Sequence, residues 1–233
     1  ADRGNYRECC IDKINFNEYN AASVTPTNSG VGAVSSHSFG TAVVSTKVIT
    51  PATSSANGNV YQYHKCAYCS KTSHTAVAIN RLASVSLSDT IYTYNGKAKK
   101  PMVTLKDSMG NKISTANYTV SYTNNIKVGT ATVTIKLKNR YSGTIKKTFT
   151  IRPVGTSITK FSSIKGGVKV SWNKQAIQTT GYQIRYSTKS SMSGAKTYAV
   201  TKISTVSKNF TKLSKNKKYY FQIRTYKVVN GKK

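Results

Sequence analysis

The sequence predicts an all-β chain, and three observations carry that reading. From about residue 30 onward Ser, Thr, Val, Tyr and Asn dominate, and the Val, Thr and Tyr among them suit pleated, half-buried surfaces. Apolar and polar residues alternate with period two in one run after another, as a strand with one buried face requires. Asn-Gly pairs stand at Asn57-Gly58, Asn95-Gly96 and Asn230-Gly231, where tight hairpin turns with positive φ at both residues are expected. In chain order the clearest strands run from Met102 to Lys106, Tyr118 to Tyr122, Ala131 to Leu137, Thr144 to Ile151, Val168 to Trp172, Tyr182 to Tyr186 and Tyr219 to Tyr226. Nothing in the spacing supports a helix longer than one turn.

The 233 residues leave room for two or three small domains. One boundary is expected near Asn80 to Ala83, where a cysteine- and histidine-bearing stretch gives way to regular strands. Another is expected at Ile151 to Gly155, where Pro153 and Gly155 end one strand series before the next begins. No apolar run approaches the ~20 residues of a membrane-spanning helix. The chain starts at Ala1 without the basic, apolar and small-residue zones of a signal peptide, as expected of a fragment or a mature product.

Charge narrows the function classes. The formal net charge is +30, and it climbs along the chain: residues 1–80 hold six basic and four acidic side chains, 81–153 thirteen and two, 154–233 seventeen and none. The last carboxylate is Asp107 and the last histidine His74. General acid–base pairs, hard-cation sites and the acid that orients a catalytic histidine all need a carboxylate, so the C-terminal half is expected not to be catalytic. Charge of this size predicts attraction to polyanions. Only seven of the 36 basic residues are arginine, and lysine acts as a hydrated point charge rather than a bidentate fork, so unspecific electrostatics are expected.

Residues 83–153 carry four phrases: Tyr94 to Lys97, Tyr118 to Asn125, Val128 to Ile135 and Tyr141 to Ile151. With them the region resembles the bacterial immunoglobulin-like repeats of Gram-positive surface proteins. From about Thr156, residues Val168, Val170 and Trp172, then Tyr182, Ile184 and Tyr186, then Leu213 six residues before Tyr219 with Phe221 and Ile223, resemble the second, third and tyrosine-corner strands of a fibronectin type III module. The resemblance implies that 154–233 lacks its last strand, either through truncation or because a neighbouring chain supplies it. Residues 36–82, expected to form a small β-rich Cys/His-containing module, resemble a short repeat that precedes such arrays, through His37 to Gly40 and the Cys66-x-x-Cys69 pair, although Ser54 stands where that repeat has another cysteine. Residues 1–35 are unassigned. The resemblances imply tandem β-sandwiches with a small irregular Cys/His-containing N-terminal region, in an extracellular or cell-surface setting.

All four cysteines and all three histidines fall within the first 74 residues. Cys66 and Cys69 have the spacing of a zinc knuckle, which His64, His74 or His37 would complete as a structural site. The even count favours disulfides among Cys9, Cys10, Cys66 and Cys69, with free or inter-domain thiols as the further alternative, and no other cofactor is expected. Cys66 with His64 or His74 is a nominal nucleophile and base, but no acid lies nearby to orient the base. Self-forged lysine–asparagine bonds, which some Gram-positive surface domains carry, would need Asp89 or Asp107. In the last module, alternation places Gln183 and Arg185 outward on one strand and Tyr220, Gln222, Arg224 and Tyr226 outward on the next. Arg185, Tyr220, Arg224 and Tyr226 are therefore the candidate polyanion- or glycan-binding residues, set against a purely sheet-stabilising tyrosine–arginine pairing. The expected activity is non-catalytic: spacing, adhesion or retention on anionic cell-wall polymers or acidic glycans, with self-association or neighbouring domains as further partners and no sequence-specific nucleic acid. The alternative is a subunit of an extracellular filament or virion decoration assembled by strand complementation.

Overall fold

A computed structural model describes residues 37–67 and 70–231. The chain is all-β. A sheet of order β1-β2-β3 comes first, built from β1 (Phe39–Thr50), β2 (Gly58–Cys66) and β3 (Thr72–Ile79), all antiparallel. β4 (Leu82–Leu87) then pairs with β6 (Val103–Asp107), while β5 (Ile91–Thr93), β9 (Thr144–Arg152), β8 (Gly129–Leu137) and β7 (Tyr118–Thr123) form a second sheet in that order. β5 runs parallel to β9. The last six strands make two three-stranded sheets. One is β10-β11-β14, from Ile158–Ile164, Gly167–Trp172 and Ser207–Thr211. The other is β13-β12-β15, from Lys196–Val200, Gly181–Ser187 and Tyr220–Tyr226. Helix among the described residues amounts to one 3-10 turn, Thr115–Asn117, whose first turn is capped by the Ser114 hydroxyl accepting from the Ala116 N–H. No helix of the described residues is long and apolar enough to cross a membrane.

All seven expected strands are present, each within two residues of its expected ends. The turn expectation fares differently. Asn230 and Gly231 both have positive φ, as a tight hairpin turn requires. At Asn95-Gly96 only the glycine does, because the Asn95 side chain instead accepts the Lys97 N–H to close its own local turn. Neither Asn57 nor Gly58 has positive φ: Asn57 spends its side-chain oxygen on the Arg81 N–H at 2.8 Å, and Gly58 already belongs to β2.

The described residues fall into two compact units. The first comprises residues up to Ser84 with Lys106–Tyr118 and Leu137–Gly143. Within it, Ala52 is fully buried and bridges in parallel to Tyr141, donating its N–H to the Arg140 carbonyl and accepting from the Ser142 N–H. Gly58 lies against this strap. A Cβ there would collide with the backbone of Thr50, Pro51 and Ala52, so only glycine lets β2 begin beside it. Asp107 anchors a turn in the same unit. Its carboxylate accepts the N–H groups of Met109 and Asn111, both at 2.9 Å, and the side-chain amides of Asn111 and Asn80. Desolvation by burial pulls the carboxyl upward, yet the donors from Asn111, Met109 and Asn80 outweigh it and hold the group below its ordinary pKa. These amide partners give Asp107 a turn-closing role, while Asp89 accepts from the Tyr92 hydroxyl at 3.4 Å.

The second unit holds two apolar cores of its own. In one, Leu105, Ala131, Val133, Ile135, Phe149 and Ile151 are essentially inaccessible, with the Tyr92 ring edge-on to Phe149 at 5.4 Å. In the other, Val170, Trp172, Tyr182, Ile184, Val200 and Phe210 close the space between the last two sheets. Each such side chain contributes roughly 1.5–3 kcal/mol on burial. The expected inward sets Val170/Trp172 and Tyr182/Ile184 are among them. The corner expected at Tyr219 is also present: its hydroxyl accepts the Ser214 N–H at 3.0 Å, and hydrogen bonding with the Ser214 side chain, followed by that N–H, lowers the phenol's pKa.

Gly58→Ala is expected to lower the urea midpoint of the full chain, at a cost of about 1–3 kcal/mol for overpacking. Asp107 supplies a pH test. Because its folded pKa is depressed, its stabilisation is fully present above the unfolded carboxylate value near ~3.9 and is lost as pH falls through the lower folded value. Thermal midpoints measured from neutral pH downward should therefore fall more steeply in acid for the native chain than for Asp107→Asn.

Candidate functional site

The outer face of β13-β12-β15 is built by strand alternation. β12 pairs with β15 so that Gln183 faces Arg224 and Arg185 faces Gln222. The two pairs are reciprocal: Arg224 Nε donates to Gln183 Oε1 at 2.6 Å, and Arg185 Nε donates to Gln222 Oε1 at 2.7 Å. Both arginines are exposed, so each guanidinium is held in orientation by one N–H while its remaining donors face solvent. With Thr197 and Ile223 they line a shallow depression of about 360 Å³. Two fixed forks of positive charge, each tethered to a neutral amide rather than a carboxylate, keep their full charge for a ligand.

The two tyrosines of the expected set differ from each other. Tyr220 is half-buried, with the Lys218 ammonium 5.3 Å from its ring centroid. Tyr226 is only 6% exposed, unlike the open ring that alternation suggested. Its partner across the ladder is Gly181, and the ring lies down over that glycine, so that a Cβ at Gly181 would press on Tyr226 Oη and Cζ. The surface offered by this face is thus Arg185, Arg224 and Tyr220. Gly181 was the signal in the sequence that the Tyr226 ring has a space to occupy.

Near the start of the described chain, the structure brings His37 and Cys66 together, with Nδ1 and Sγ 3.8 Å apart and Cys66 3% exposed. Tetrahedral zinc would set such a nitrogen–sulfur pair about 3.6 Å apart, given metal–ligand bonds near ~2.0 and ~2.3 Å. The other expected ligands are not gathered with them. His64 Nε2 sits 3.2 Å from the Thr75 hydroxyl, and its buried Nδ1 has no partner. His74 lies opposite Tyr63 and stacks on Tyr61 with ring centroids 4.1 Å apart, on the sheet face alternate to that of His64 and Cys66. Among the described residues no group of three or more His, Cys, Asp or Glu is arranged to hold a metal ion. Cys9, Cys10 and Cys69, and with them the disulfide expectation, lie outside the described residues.

No family model matches the sequence, and no curated protein matches it. Among solved structures, the FN1–FN3 domains of chicken CNTN1 match with 15% identity over 76% of this chain and 71% of that chain, at a TM-score of 0.29. The architecture rests on the strand orders above, and those of the last six strands are the two facing three-stranded sheets that the fibronectin type III resemblance implies.

Proposed function

We propose that the chain is a non-catalytic modular segment of a secreted or cell-surface protein of a Gram-positive bacterium, and that it works in spacing, adhesion or retention on anionic envelope polymers or acidic glycans. The observation that carries this reading is the pair of exposed arginines, Arg185 and Arg224, each oriented by a glutamine across the β12–β15 ladder in a region with no carboxylate to neutralise it. Around them a surplus of lysine supplies long-range attraction, which salt screens beyond about 8–10 Å. The arginine forks supply the short-range component that salt weakens less.

The strand-complementation reading keeps one supporting observation. In the sheet β13-β12-β15 the outer edge of β15 pairs with no strand among the described residues, which leaves a template for an extended segment of another chain.

The test is binding of the full chain to immobilised wall teichoic acid, acidic glycans, nucleic acid and neutral sugars at low salt and at about 0.5 M NaCl. Retention on the envelope polymers or acidic glycans that survives salt, and drops about tenfold in Arg185→Gln/Arg224→Gln, is the expected result. Binding to every polyanion that disappears in salt and ignores the double substitution would contradict it. Concentration-dependent oligomers in light scattering would instead favour the second reading.

A further inference from the structure

The last two sheets leave an opening along one edge, between β13 and β14. Residues there break the alternation that governs the rest of the sandwich. On β13, Lys196, Tyr198 and Val200 lie opposite Tyr186, Ile184 and Tyr182, so all three occupy inner-face positions. On β14, Lys208 and Phe210 lie opposite Val170 and Val168, again on the inner face. Two lysines therefore stand at positions where a sandwich ordinarily places apolar side chains. Tyr198 remains 40% exposed, and the Lys208 ammonium sits 4.4 Å from its ring centroid. Beneath them Phe210 is buried, edge-on to both Tyr186 and Tyr198.

The result is an open depression of about 520 Å³ lined by the rings of Tyr186, Tyr198 and Phe210 and by Lys196 and Lys208, while the side chains of Thr197, Asn209 and Thr211 on the same strands alternate to the outer faces. No aspartate or glutamate occurs anywhere after Asp107, so no side chain of this region neutralises Lys196 or Lys208. The features select a ligand in combination. Lysine charge asks for an anion, and an exposed tyrosine ring for an apolar ring surface. A sugar bearing a carboxylate meets both demands at once. Inward charges on edge strands also serve elsewhere to block edge-to-edge pairing, and that use predicts aggregation, not loss of binding, when the charge is removed.

We propose that the opening between β13 and β14 binds an acidic sugar residue, its carboxylate received by Lys196 and Lys208 and its ring body by Tyr198. This site is separate from the Arg185 and Arg224 face, which projects from the opposite side of the sheet, and it does not rest on the retention reading.

The experiment is calorimetric titration of the full chain, at roughly 0.15 M NaCl, with a hyaluronan tetrasaccharide, with the neutral chitin tetrasaccharide and with inorganic polyphosphate. The tetrasaccharide carrying glucuronate is expected to bind, with the neutral one at least about tenfold weaker. Tyr198→Ala and Lys208→Gln should each weaken that binding about tenfold, and Lys196→Gln severalfold, while Lys169→Gln on the outer face leaves it unchanged. Near-ultraviolet circular dichroism identifies any variant that has lost its fold, and Tyr198→Phe, which keeps the ring, should bind as the native chain does. Equal affinity for the neutral sugar, polyphosphate binding with the same dependence on Tyr198, or no binding at all would overturn the proposal. So would Lys208→Gln and Lys196→Gln proteins that aggregate while Tyr198→Ala binds normally.

Discussion

The constraint on which the C-terminal part of this protein depends is that its fold is held without a single carboxylate side chain. After Asp107 no aspartate or glutamate is available, yet lysine and arginine recur every few residues. Side-chain ion pairs cannot offset the repulsion among those cations within the region, so cohesion falls to the ladders and the apolar inner faces. The fully inaccessible residues Val170, Tyr182 and Ile184, with Trp172, Val200 and Phe210 around them, bring the two last sheets together. Rings extend that core: Tyr186 stacks on Phe221 at 5.5 Å, and Phe210 meets both edge-on. Such ring pairs add about 0.5–1.5 kcal/mol each beyond area burial.

The same scarcity explains where the cations go. Where a carboxylate would ordinarily receive them, they meet amide oxygens and ring faces. Arg185 and Arg224 donate to glutamines, the Lys99 ammonium donates to Asn95 Oδ1 at 2.7 Å, and Lys208 and Lys218 stand over Tyr198 and Tyr220. These partners orient a cation without cancelling its charge. Order and unspent charge therefore coexist on the surface, and an anion reaching it would meet groups already in position rather than free lysine tails. Pre-orientation of this kind lowers the entropy lost on binding.

What the sequence revealed and what it hid divides along physical lines. Strands with one well-buried face were legible, because Val133, Ile135 and Leu137 or Tyr182, Ile184 and Tyr186 write the period-two pattern directly. The first sheet was legible as a β-rich stretch but not strand by strand, since β1 is exposed along almost its whole length and has no inner face to enforce alternation. The edge strands β13 and β14 were hidden for a related reason: Lys196 and Lys208 occupy inner-face positions, so KTYAV and SKNFT do not read as half-buried strands. Asn57-Gly58 misled because the glycine answers to a close backbone approach rather than to a turn. At the site, alternation placed Gln183, Arg185, Gln222 and Arg224 correctly on one face. It could not show that each arginine is tied to a glutamine, or that Tyr226 folds down over Gly181.

On this account the charge of the chain is an uncompensated cost to the fold, and under the proposed function it is kept for anions outside the protein. Thermal unfolding of the full chain as a function of NaCl concentration tests that claim most directly. If the claim holds, the midpoint rises steadily as salt shortens the Debye length from about 30 Å at 0.01 M toward about 3 Å at 1 M, because repulsion among the cations is screened. A midpoint that falls with salt over this range would mean that attractive charge pairs hold the structure together, and would contradict the account.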